Sequence, residues 1–319
     1  MDVEQKIPVG ISACLLGQKV RYDGEAKLNP YITETLGQYF HWVPICPEAE
    51  AGLGTPRPSM HFEEDGDDIK LVQPKTGLDL TQKMTEFSTS RVAKVGPYDI
   101  YGYILKARSP SCGMERVKVY RGHGVRPHTN GTGVFAKALK EQHPLLPLEE
   151  EGRLCDPVLR ENWVKRVFSR YQFHRALFPE PSMGKLVDFH ARYKFAVLCH
   201  DEVIYRTMGR LVGQTEKKDL AAILVEYEDL LMNALAKKAT PAKHTNVLEH
   251  LYGFFKKVLS KEAREAVLGT IRDYQEGFVP LIVPITLLRH YAVLHEMDYL
   301  MNQTYLNPHP KRLALLSDL

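Results

Sequence analysis

Residues 7–14 read IPVGISAC, an apolar run that ends in a cysteine where a turn begins. WVPIC (42–46) repeats the arrangement, and YGYILKARSPSCG (101–113) does so with a few residues between the apolar run and Cys112. Short β-prone runs bounded by turn residues read as strands. Side chains at the carboxyl ends of neighbouring parallel strands converge on one crevice, where open α/β sheets take their ligands. Cys14, Cys46 and Cys112 are therefore expected to meet. Three thiols without a fourth suggest a soft metal centre with one position left open.

Outward from these runs, the first half alternates strands and helices. Strands are expected at 7–13, 42–46, 99–106, 116–120 and 145–148, with helices at 29–39, 80–95 and 132–142. Such alternation predicts an α/β, Rossmann-like domain with a mostly parallel sheet over residues 1–155. The Gly-, Pro- and Asp-rich segment 47–79 reads as a long loop of the functional or disordered kind. Within it EEDGDD (63–68) reads as a solvated hairpin tip rather than a metal site. Residues 156–319 read as an all-α domain, with helices at 157–178, 182–199, 201–212, 215–238, 243–258, 261–276 and 281–301. Leu220, Ile223, Leu224, Tyr227, Leu230 and Leu231 show the helical period, and Pro179, Pro181 and Pro241 punctuate the segments.

A chain of 319 residues with 44% hydrophobic and 25% charged residues has room for two ordinary domains. No apolar run reaches the roughly 18 residues of a membrane span, and MDVEQKIPVG lacks a signal-peptide core. The expectation is a cytoplasmic protein without a membrane partner. Five cysteines in a reducing compartment then point to metal binding or catalysis, not to disulfides. The net charge of +3 divides into −2 for residues 1–156 and +5 for 157–319. A basic second half fits a polyanionic partner, although this excess is also within ordinary scatter.

The spacing of the three thiols is unlike the local Cys-x-x-Cys runs of zinc ribbons and ferredoxins, so the fold itself would have to gather them. Their neighbours add chemistry. Glu48 follows Cys46 in CPEAEAGLGTPRP, Lys106, Ser109 and Ser111 surround Cys112, and RYDG (21–24) follows Cys14. A carboxylate and two hydroxyls beside thiols suit acid–base work at a metal centre. Each also has a plain structural alternative. Glu48 can favour a helix N-terminus, the serines can bond turn backbone, and Arg21 can pair with Asp23 on the surface. Cys155 and Cys199 read as structural. A His190/Cys199/His200 metal site fails on geometry, since ten residues of one helix separate its histidines by about 15 Å.

SACLLG…RYDG, CPE…GLGTPR and KxRSPSCG together resemble the thiouracil desulfidase family over most of residues 7–150. FHRALFP and HARYKFAVLCH resemble the YbgA-like helical domain fused to it in tRNA 4-thiouridine desulfidases. The resemblance implies a [4Fe-4S] cluster held by Cys14, Cys46 and Cys112, with a fourth iron open to the substrate's thiocarbonyl sulfur. It implies Glu48 as the residue that activates water or moves the proton. Ser109 and Ser111 would orient substrate or relay protons, and Lys106 would stabilise developing negative charge.

In the second half, Lys165, Arg166, Arg170, Arg175, Arg192, Lys194, Arg206 and Arg210 are candidate phosphate contacts. They are interleaved with Trp163, Phe168, Tyr171, Phe173, Tyr193 and Phe195, which could stack on splayed bases. The leading expectation is a desulfidase acting on 4-thiouridine in tRNA. The alternatives are the same chemistry on free thiolated pyrimidines such as thiouracil, and a non-catalytic cluster protein that senses redox state or binds RNA.

Overall fold

The computed structural model describes residues 5–121, 125–213, 219–308, 310 and 313. The chain divides into two compact units, with the division between Leu159 and Arg160.

The first unit is α/β. Strands β1 (Ile7–Ser12), β2 (Phe40–Ile45), β6 (Tyr103–Leu105) and β9 (Leu148–Glu150) form a sheet in the order β2-β1-β6-β9. Every pairing in it is parallel. Parallel sheets are covered on both faces and read as near-continuous apolar runs, and Ile7, Val9 and Ile11 of β1 are all fully buried. Gly10 is needed where it stands, because a Cβ there would lie 2.2 Å from the Tyr103 ring. Helices α2 (Thr81–Ala93) and α3 (Val134–Gln142) contribute Val92, Phe135 and Leu139 to the core against Ile45, Tyr103 and Leu105.

A second sheet differs from expectation. Strands β3 (His61–Asp65), β4 (Asp68–Gln73), β5 (Leu78–Asp79), β7 (Val117–Tyr120) and β8 (His128–Gly131) pair in the order β5-β4-β3-β7-β8. Segment 47–79 is thus largely structured, beginning with the short helix α1 (Pro47–Glu50). Residues 63–68 do form a hairpin tip, since β3 and β4 are antiparallel up to the pair Asp65 and Asp68. The segment 29–39 is not an α-helix. It forms a wide turn over Tyr31–Thr35 and a 3-10 turn over Leu36–Gln38, in keeping with its β-branched residues and Gly37.

The second unit is helical: α4 (Pro157–Leu177), α5 (Met183–Leu198), α6 (Glu202–Gly213), α7 (Leu220–Ala236), α8 (Pro241–Gly253), α9 (Lys261–Gln275), α10 (Ile282–Leu294) and α11 (Asp298–Met301). Ser182, Thr240 and Ser260 accept backbone N–H groups at the starts of α5, α8 and α9, satisfying donors a helix leaves open. Among the described residues, no helix is long and apolar enough to cross a membrane.

Candidate functional site

The parallel sheet delivers the three thiols to one cavity. Beyond β1, Ala13–Leu16 makes a 3-10 turn closed by Gly17, whose φ of +86° favours glycine. Cys46 follows β2 directly as the cap residue of α1, with Pro47 opening the helix. Cys112 is reached by a longer loop after β6, and that loop is tightly bonded. Ser109 Oγ accepts from the Ser111 and Cys112 amides, each at 3.2 Å. Gly113 N donates to Ser109 O at 2.7 Å, and a Cβ on Gly113 would lie 2.8 Å from the same oxygen.

Cys14, Cys46 and Cys112 line a cavity of about 520 Å³ together with Glu48, Lys106, Ser109, Arg57 and Arg21. Burial pushes the Cys14 thiol up to about 11, with Lys106 and Arg21 opposing and Cys46 adding. Cys112 is pushed well above the ordinary thiol value by burial, opposed by a hydrogen bond from Ser12 and reinforced by Glu48 and both other thiols. Burial also raises Cys46. The thiols act on one another's charge, so they share one environment. Bare, they remain protonated at neutral pH. A coordinated metal deprotonates a thiol outright.

Among the described residues, no three His, Cys, Asp or Glu side chains are placed to hold a single metal ion. An iron–sulfur cluster bound one iron to each thiolate asks for a wider set than one ion does. Three thiols lining one cavity fit such a group in donor chemistry.

Glu48, in the first turn of α1, is paired with Arg57, whose Nε and Nη2 lie 2.9 and 2.5 Å from Glu48 Oε2. Arg57 is itself fixed by Gly54 O at 2.7 Å and Val20 O at 3.0 Å. Glu48 Oε1 takes no bond from a described residue and is the free acceptor of the pair. Lys106 Nζ is engaged by the Glu151 carboxylate and by Ala107 O at 3.2 Å. Its backbone N donates to Ser12 Oγ at 2.9 Å, so Ser12 ties the β1 turn to the Cys112 loop.

Ser111 departs from expectation. It is fully buried, is absent from the cavity lining, and its hydroxyl has no hydrogen-bond partner among the described residues. Its carbonyl accepts from Phe135 N at 2.9 Å and Ala136 N at 3.3 Å. The residue is committed to the start of α3. The sequence reading also missed His61 and Tyr120, which line the cavity with ring centroids 4.3 Å apart. Both lie in the second sheet, and nothing in their local sequence signals the pairing.

The basic residues of the helical unit fall into two groups. Lys165 and Arg170 are buried and paired, with Glu161 at 3.3 Å and Glu228 at 3.0 Å. That corrects their assignment as phosphate contacts, since a polyanion cannot reach them. Trp163, Phe168, Phe173, Tyr193 and Phe195 are buried too, so they are core residues rather than stacking platforms. Arg175, Arg192, Arg206 and Arg210 are exposed, while Arg166 and Lys194 are partly buried. Lys194 Nζ lies 5.3 Å from the Phe195 ring centroid and 5.2 Å from that of Tyr299. Cys155 is exposed and Cys199 is buried. His190 bonds to Tyr227 OH and His200 to Lys237 O, so the two histidines serve separate neighbours.

Comparison with known proteins divides the chain in the same way. Residues 9–151 match the family model described as 2-thiouracil desulfurase, and residues 194–310 match a family of proteins of unknown function, DUF1722. The YbgA protein of Escherichia coli (strain K12) is 30% identical over 151 residues, 47% of this chain and 89% of that protein. The YbbK protein of Bacillus subtilis (strain 168) is 31% identical over 137 residues, 41% of this chain and 88% of that protein. A solved structure described as the [4Fe-4S]-dependent thiouracil desulfidase TudS is 32% identical, covers 47% of this chain and 95% of its own, and has a TM-score of 0.39.

Proposed function

This chain belongs to the 2-thiouracil desulfurase family, joined to a YbgA-like domain, and on that footing we propose that it removes sulfur from a free thiolated pyrimidine of the thiouracil type. The observation that carries the reading is the meeting of Cys14, Cys46, Cys112 and Glu48 in one cavity inside the matched segment. Its volume of about 520 Å³ lies within the range of ~300–1,000 Å³ usual for small-molecule sites.

Cys14, Cys46 and Cys112 would hold a [4Fe-4S] cluster, which when bound supplies a soft Lewis acid for the thiocarbonyl sulfur. The rest of the work falls to the chain. Net reaction is hydrolysis: water adds its oxygen to the carbon, the carbon–sulfur bond breaks, and sulfur leaves as hydrosulfide without change of oxidation state. Glu48 Oε1 takes the proton from water while Arg57 holds Oε2 in place. Ser109 Oγ is already the acceptor for two amides, so its own proton is left to donate toward the cavity. Lys106, paired with Glu151, lines the same cavity and would stabilise developing negative charge there.

A second reading, 4-thiouridine within tRNA, is supported by the exposed Arg175, Arg192, Arg206 and Arg210 of the helical unit. Anaerobic incubation of the reconstituted protein with 2-thiouracil and, separately, with thiolated tRNA tests both, followed by the near-ultraviolet absorbance of the thiocarbonyl. Loss of the free-base signal, absent in Cys112→Ala, is expected. Turnover of tRNA alone would move the assignment to the second reading. Persistence of both signals with a loaded cluster would overturn desulfidation.

A further inference from the structure

Cys112 is the cavity thiol farthest along the chain from the end of its strand. After Leu105 the chain leaves the parallel sheet and joins the second sheet only at Val117. Three consecutive acids, Glu149, Glu150 and Glu151, stand at the end of the neighbouring strand β9, and two of them hold this excursion at its two feet. At the near foot, Glu151 Oε2 accepts from Ala107 N at 2.6 Å, and its other oxygen engages Lys106 Nζ. At the far foot, Glu150 Oε1 accepts from Met114 N at 2.7 Å and more weakly from Glu115 N at 3.4 Å. Glu149 braces the far foot through Arg153, whose Nε lies 2.6 Å from Glu149 Oε1 and whose Nη1 lies 2.5 Å from Glu115 Oε1.

An independent observation points the same way. Arg108 and Arg116 carry φ values of +60° and +57°, a left-handed conformation that non-glycine residues avoid. Each directly follows a residue whose amide is held by one of these carboxylates, Ala107 and Glu115. Backbone strain of this kind persists only where the surroundings over-determine it. The carboxylates are those surroundings. Charge is not what they offer, because a carboxylate near a thiolate disfavours the ionised thiol. What they offer is acceptor oxygens at fixed positions.

We propose that Glu150 and Glu151 are positioning residues that clamp both feet of the Cys112 loop and set that thiol for cluster binding. The proposal rests on the desulfidase reading for the identity of the group bound. The test measures cluster release from the reconstituted full-length protein to a ferrous chelator, with no substrate present, beside alkylation of Cys112 by iodoacetamide in the cluster-free protein. Glu150→Ala is expected to speed cluster release ~10–100-fold, the usual cost of removing a group that orients a metal ligand, and to speed alkylation of the buried Cys112. Glu150→Gln keeps an acceptor oxygen and is expected to stay near the native rates.

Far-ultraviolet circular dichroism checks the fold. Glu151→Ala, which frees the other foot, carries the test if Glu150→Ala does not fold. Native rates in the alanine variants would overturn the clamp. Equal loss in Glu150→Gln and Glu150→Ala would overturn it too, by assigning the effect to charge. If the native protein takes up no cluster, the desulfidase reading fails, while the alkylation rates still decide the clamp.

Discussion

Arg57 places both Nε and Nη2 on a single oxygen of Glu48, Oε2, and Oε1 takes no bond from a described residue. On the desulfidase reading proposed above, one carboxylate oxygen would be the anchor and the other the base. Glu48→Gln keeps shape and loses the base, so kcat is expected to fall ~10²–10⁴-fold with cluster absorbance unchanged. Arg57→Ala leaves the partly buried Glu48 carboxylate without its guanidinium partner. It is expected to lower both turnover and the melting temperature. Steady-state kinetics beside thermal melts separate the two variants.

The two serines of the Cys112 loop should behave in opposite ways. Ser109 Oγ accepts two amide protons, and losing an acceptor for buried donors costs about 1–3 kcal/mol. Ser109→Ala is expected to lower the melting temperature and turnover together. Ser111 Oγ is buried without a partner among the described residues, so removing it forfeits nothing. Ser111→Ala is expected to keep full turnover and equal or higher thermal stability. A large loss of kcat in Ser111→Ala would show that its hydroxyl reaches substrate.

The thiol site was legible because parallel strands declare themselves as continuous apolar runs, and residues just past their carboxyl ends must converge. IPVGIS and FHWVPI lie within a residue or two of the expected limits. Of the second sheet, β7 lies within a residue of the expected strand 116–120 and the 63–68 hairpin tip was read, but the other strands were not legible. HFEED and DIKLVQ carry charges on exposed faces, and HTNG has no fully buried residue, so Gly, Asp and Pro dominated the reading of that region. Partners such as Ser12 with Lys106 and Glu150 with Met114 are 94 and 36 residues apart, and no local pattern announces them. In the helical unit, period revealed amphipathic faces but not which charges turn inward. Glu296, with φ of +49°, breaks the expected helix 281–301 near residue 296.

That inward turn makes the polyanion question decidable. Arg170 is 4% exposed and holds Glu228, whereas Arg206 and Arg210 are open to solvent. Arg170→Ala removes one of the two partners of the buried Glu228 carboxylate and leaves it with His174 at 3.2 Å, so it is expected to lower the melting temperature and to leave the salt dependence of any tRNA binding alone. Arg206→Glu and Arg210→Glu should leave stability nearly unchanged. If these residues contact phosphate, each weakens binding and lowers the slope of log affinity against log salt by about 1. Unchanged affinity and slope in both would remove this face as an RNA contact.

Acid should destabilise the helical unit. Burial drives His200 down to about 3, with Lys165, Lys243 and Arg166 adding to the shift and a bond to Lys237 O opposing it. Burial, Lys165 and His200 hold His244 well below its ordinary value. Burial also lowers His174, against the pull of Glu228. In each case the unfolded chain binds the proton first, so stability is complete above the unfolded value near 6.5 and falls as pH drops from there toward the folded values. For His200, lowering pH from 7 to 5 should cost about 2 kcal/mol. Denaturant titrations at the two pH values measure this loss, and His200→Gln, which cannot take up the proton, should reduce it. An equal loss in His200→Gln would mean that another group carries the acid sensitivity.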